Sequence, residues 1–135
     1  MIAVLPAIAC AEQSVGFEGV RLGMGASDVR ARFQHPGHWL SETSDTGTVT
    51  MDWAPNETDD TTDIVSMSFE FHQSLLVAIR ATLNPDHPLA DDRSEENADV
   101  LKYVSQEPDG TTQVFWITKN CPIHREEVEA LSAHL

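Results

Sequence analysis

"IVSMSFEFHQSLLVAIRATL", residues 64–83, decides the fold. Val65, Met67, Phe69 and Phe71 take every second position, with Ser66, Ser68 and Glu70 between them. Leu75, Val77, Ile79, Ala81 and Leu83 repeat the rhythm, with Leu76, Ala78, Arg80 and Thr82 in the gaps. Side chains of a strand point alternately to its two faces, so this pattern predicts two strands with one buried and one more polar side. Only His72-Gln73-Ser74 separates them, which joins them as an antiparallel hairpin.

The same period extends outward. Val49, Met51 and Trp53 alternate with Thr48, Thr50 and Asp52, and the polar stretch Ala54 to Asp63 connects that strand to the hairpin. Val100 to Glu107 and Thr111 to Thr118 predict a second hairpin around Pro108-Asp109-Gly110, a sequence with the residues a tight turn requires. Phe115, Trp116 and Ile117 crowd both faces of its second strand, which places that strand centrally. Helices are expected at the two ends. Ala26, Val29 and Phe33 share a face between Gly25 and Phe33, and Pro36-Gly37 stops that helix. Cys121-Pro122 opens a second one carrying Val128, Leu131 and Leu135. Between Asn84 and Asp99 the chain is acidic and irregular, with a helical turn expected within 90–98. The expected fold is α+β, a single two-layer domain over residues 12–135. It comprises a mainly antiparallel sheet of about five strands with both helices on one face.

Charge sets limits on partners. Twenty-two acids against eight bases give a formal charge of −14. Nucleic acids and anionic membranes select clustered Lys and Arg, so neither is an expected partner. Solubility accounts for the charge, and a basic partner or cations would also suit it. No apolar run reaches the length of a membrane span, which is about 20 residues.

Residues 1–11 read as a leader. Ile2 to Ala9 is apolar, and Ala7-Ile8-Ala9 has the small-x-small pattern of a signal cleavage site, although the first basic residue is Arg21. Cys10 follows directly, as in a lipoprotein box, and is the candidate for lipidation. This gives an extracytoplasmic location; the alternative is a cytoplasmic protein in which residues 2–9 form an edge strand. Cys121 is the only other cysteine, a spacing that excludes a CxxC site.

"GVRLGMGASDVRARF", residues 19–33, tests whether the glycines cradle a phosphate. They do not fit that use. Gly25-Ala26-Ser27-Asp28 lacks the lysine of a P-loop, Gly23-Met24-Gly25 lacks the third glycine of a dinucleotide fingerprint, and Asp28 would repel phosphate. A bend at Gly23, with Leu22 and Met24 packed beneath the helix, accounts for the stretch. It resembles the "LGMS/T-x-x-E-V-x-x-x-F/L" opening of SmpA/OmlA-like small bacterial envelope domains. The matching positions are Leu22, Gly23, Met24, Asp28 in place of Glu, Val29 and Phe33, while Gly25 departs from the usual Ser or Thr. The resemblance covers residues 19–33 alone. It implies a BLIP-like α+β architecture and an extracytoplasmic binding or assembly module without catalysis.

Other chemistry is thin. His35 and His38 flank Pro36-Gly37, but zinc takes about four ligands and no others sit at fixed spacing. The acidic 86–99 stretch offers oxygen ligands without an EF-hand pattern. Cys121 ahead of a helix, with His124 three residues on, is a thiol candidate. No Gly-x-Ser-x-Gly elbow occurs. The expected function is therefore a non-enzymatic exported module binding a protein or envelope component, with no cofactor and no catalytic residue. The alternatives are a cation-binding module using residues 86–99, or a thiol enzyme or redox sensor using Cys121 with His124.

Overall fold

A computed structural model describes residues 16–44, 47–56, 63–119, 121 and 124–133. Leu75 follows His72 after Gln73 and Ser74, which both take positive φ (53° and 68°), so the chain reverses in two residues. That geometry matches the right-handed twist of paired strands. It closes the hairpin of β5 (Ile64–His72) and β6 (Leu75–Leu83). Around it the chain builds one antiparallel sheet. β3 (Gly37–Thr43) and β4 (Val49–Pro55) lie to one side of the hairpin. β9 (Thr112–Thr118), β8 (Val100–Gln106) and the two-residue β7 (Glu95–Glu96) lie to the other. The order across the seven strands is β3-β4-β5-β6-β9-β8-β7. Before the sheet come a ribbon, β1 (Gly16–Phe17) with β2 (Val20–Arg21), and helix α1 (Ala26–Arg32). A 3₁₀ turn follows β6 at Pro88–Asp91, and α2 (Arg125–Ser132) ends the described chain.

The α+β expectation is corrected. The protein is mostly β, roughly 49% strand and 19% helix, with a seven-stranded sheet in place of five strands. The helices also lie on opposite faces. Val29 of α1 belongs with Met51, Phe69 and Ile79 in the larger core, whereas Val128 of α2 packs with Ala78, Phe115 and Ile117. Ala78 and Ile79 are consecutive on one strand, so they face opposite ways. The acidic segment's helical turn sits earlier than expected, at 88–91, and α2 starts at Arg125 rather than at Cys121.

Two irregularities reset the phase of the central hairpin. Pairing of β5 with β6 shifts between Ile64 and Ser66, so Ile64 is buried while Val65 turns outward, against the expected pattern. A second shift sets Phe71 opposite Leu76 and Glu70 opposite Ala78, with Val77 as the extra residue. Each bulge adds one residue and exchanges the faces beyond it.

One face of the sheet is closed over. Phe17, Val20, Leu22 and Met24 are buried against it, and Phe33 meets Trp53 and Phe69 edge-on at 4.9 and 5.6 Å. Gly23 takes φ +98°, which permits the bend ahead of α1. Its N–H donates to the Leu76 carbonyl at 2.7 Å, and Leu76 N–H donates to the Met24 carbonyl at 2.8 Å. The helix entry is thereby fastened to the start of β6. Gly25 caps α1 through its backbone alone, with Asp28 in the first turn near the positive end.

Candidate functional site: an open trough beside a buried histidine

Among the described residues, the second face is only partly covered. Register places Leu40, Asp52, Ser68, Arg80, Phe115 and Tyr103 opposite one another in a row across six strands. Helix α2 lies over the Phe115 end through Val128 and Leu131. The other end is an open trough of about 590 Å³, reached by Leu40, Asp52, Ser66, Ser68, Arg80 and Gln113. That volume is in the range of sites that hold small ligands or peptide side chains, about 300–1,000 Å³. Leu40 stands at its rim, 62% exposed on β3. β3 is the outer strand of the sheet and pairs with β4 over seven consecutive residues without a bulge. It has no lysine or proline, two of the devices that commonly protect an edge from further pairing.

At the boundary between trough and helix sits His124, 9% exposed in its side chain. Its Nε2 is 2.6 Å from Glu70 Oε2 on β5, off the line of an ideal hydrogen bond. Its Nδ1 is 3.1 Å from Glu127 Oε1, one turn along α2. The other Glu127 oxygen accepts from Arg80 at 2.9 Å, and the Arg80 guanidinium lies 3.8 Å from the Phe115 ring centre. Burial works against a charged imidazole here. The hydrogen bond and attraction of Glu70, then those of Glu127, outweigh it and raise the His124 pKa above its ordinary value. A neutral imidazole has one donor and one acceptor nitrogen, so two flanking carboxylates are satisfied together only by imidazolium.

The sequence candidates scatter. Leu22, Met24, Val29 and Phe33 are buried in the closed face, Gly23 makes the bend, and Asp28 is exposed, so this motif builds the fold. Cys10 lies outside the described residues. Cys121 is 1% exposed, and its carbonyl accepts from the His124 N–H at 3.1 Å. Both ring nitrogens of His124 face carboxylates, which leaves neither free to take a proton from the thiol. His35 meets Glu18 at 2.7 Å in an exposed pair, whereas His38 lines the trough. Among the described residues, no three His, Cys, Asp or Glu side chains gather as a metal would require.

Much of the acidic stretch is engaged with lysines. Lys102 reaches Asp92 at 2.6 Å and Glu95 at 3.4 Å, and Lys119 reaches Glu96 at 2.5 Å. The Lys102 hydrogen bond holds the Asp92 carboxyl below its ordinary pKa, and Lys119 does the same for Glu96. Among the described residues no helix is long and apolar enough to cross a membrane.

Sequence reading missed the trough and did not bring Glu70 or Glu127 to His124. Two signals were present: Glu70 and Arg80 interrupt apolar strands, and His124 precedes Glu127 by one helical turn. Glu70 itself is 54 positions from His124, a distance no local pattern spans. Comparison of the chain with known protein families, with curated proteins and with solved structures finds no match.

Proposed function

We propose that the protein is a non-enzymatic binding module of the cell envelope that receives an extended segment of a partner protein along β3 and the trough. The observation that carries this is the juxtaposition, among the described residues, of an outer strand unpaired on one side with an apolar-walled trough on the half of the sheet that α2 leaves open. An added strand would satisfy the outer N–H and C=O groups of β3, and its alternate side chains would enter the trough beside Leu40. The charge of −14 favours a partner segment that is basic as well as apolar. Within the trough, the Arg80 charge is already matched by Glu127, which leaves Asp52 to meet a cation. The apolar residues 2–9 followed by Cys10, and the resemblance of residues 19–33 to SmpA/OmlA-like envelope domains, support export.

The test is a photo-crosslinking residue placed at Leu40 in the native host, with the same residue at exposed Arg93 as control. Envelope and soluble fractions are analysed by intact mass. The expected result is a discrete protein adduct from Leu40, absent from Arg93 and abolished by Ser68→Trp, on a chain in the envelope fraction that begins at Cys10. Equal adducts at both sites, or none at Leu40, would refute the binding surface. A soluble chain retaining Met1 would refute the location.

A further inference from the structure

We propose that His124 is a pH-responsive latch: as imidazolium it bridges Glu70 of the sheet and Glu127 of α2, and its deprotonation frees the helix from the sheet. The proposal stands on geometry. Each ring nitrogen faces a carboxylate, at 2.6 and 3.1 Å, from two different structural layers. Loss of one proton turns one of these contacts into repulsion between a nitrogen lone pair and a carboxylate. Among the described residues, few other contacts hold this helix besides the Arg80–Glu127 pair. Val128 is its one buried side chain among the described residues, Leu131 is partly buried, and Ser132 donates to Glu96 at 3.1 Å.

The surrounding charges are few. From β5 come Glu70 and, two residues on along the same face, His72, whose Nδ1 is buried without a hydrogen-bond partner. From β6 comes Arg80, which binds the far oxygen of Glu127. From α2 come Glu127 and the exposed neighbours Arg125 and Glu126. Arg80 also ties Glu127 to the sheet, but through a pair whose side chains are 48% and 38% exposed, where solvent screening weakens it. The direction follows from the raised pKa of His124. The latch is fully closed below the ordinary histidine value of 6.5 and opens as pH rises through the raised one. Opening uncovers Phe115, Ile117, Leu101 and Ala78, an apolar patch continuous with the trough through Arg80. The inference does not depend on whether the trough binds a partner.

Amide hydrogen exchange of the full chain tests it, at pH 6 and at pH 9, after correction for intrinsic exchange rates. Protection of α2 amides relative to those of β9 should fall about tenfold at the higher pH, the worth of one hydrogen bond to an ionised group. In His124→Gln, α2 should be poorly protected at both values. Unchanged α2 protection in the wild type, or the same pH response in His124→Gln, would overturn the proposal. Glu70→Gln provides a second reading that keeps the histidine. Its imidazole resonance should titrate at lower pH than in the wild type, and an unshifted midpoint would equally overturn the latch.

Discussion

The two faces of the sheet are built from the same alternating strands and have opposite characters. On the α1 side, residues 16–33 close over Met51, Trp53, Phe69 and Trp116, and the contacts are aromatic and buried. On the α2 side, one short helix covers a corner through Val128 and an ionic cluster, and the rest is a rim of Leu40, Asp52 and Ser68. Burial of large apolar side chains carries folding free energy, while a half-covered face contributes less. Stability is thus concentrated on one side of the sheet, opposite the side proposed for recognition.

Substitutions on each side should separate the two assignments. Phe69→Ala removes a fully buried ring that touches Phe33 and Trp39, and it should cost about 3–5 kcal/mol in a denaturant titration with unchanged slope. A cost below about 1 kcal/mol would erase the distinction between the faces. Val128→Ala on the other face should cost about 1.5 kcal/mol, reflecting the two methyl groups lost. The stability difference between wild type and His124→Gln should be largest below pH 6.5 and shrink as pH rises, because the folded state raises the His124 pKa. A difference that grew with pH would reverse the assigned charge. At the hairpin between the faces, replacing Gln73-Ser74 with Asn-Gly should raise stability by about 1 kcal/mol, since both positions require positive φ. Leu40→Ser should change stability by less than about 0.5 kcal/mol in the same denaturant titration, because the side chain is 62% exposed.

The closed face was the more legible of the two. Away from the two bulges its residues recur at period two along β4, β5, β6, β8 and β9, and at helical spacing in α1, so there local pattern and tertiary placement agree. β3 was hidden because Trp39 and Leu40 are adjacent and only Trp39 packs against the core. Without an alternating apolar series, its Pro-Gly entry reads as a turn. Val65 was assigned to the wrong face because a bulge leaves no mark in the hydrophobic pattern. The single layer of helices failed for a similar reason: which side a terminal helix covers is set by the handedness and length of its connection, not by its own stripe. The His124 cluster joins β5, β6 and α2, and only its Glu127 member lies within one helical turn in sequence.

The fastening of Gly23 and Met24 to Leu76 has a consequence for the order of assembly. The segment that roofs the closed face is made before any strand of the sheet. Its hydrogen-bonding partner appears some fifty residues later in the chain. Until the β5–β6 hairpin exists, residues 16–33 have no surface on which to bury Leu22, Met24 and Phe33. Synthesis and assembly therefore run in opposite directions here: the earlier-made segment lacks its docking surface until the middle of the chain follows.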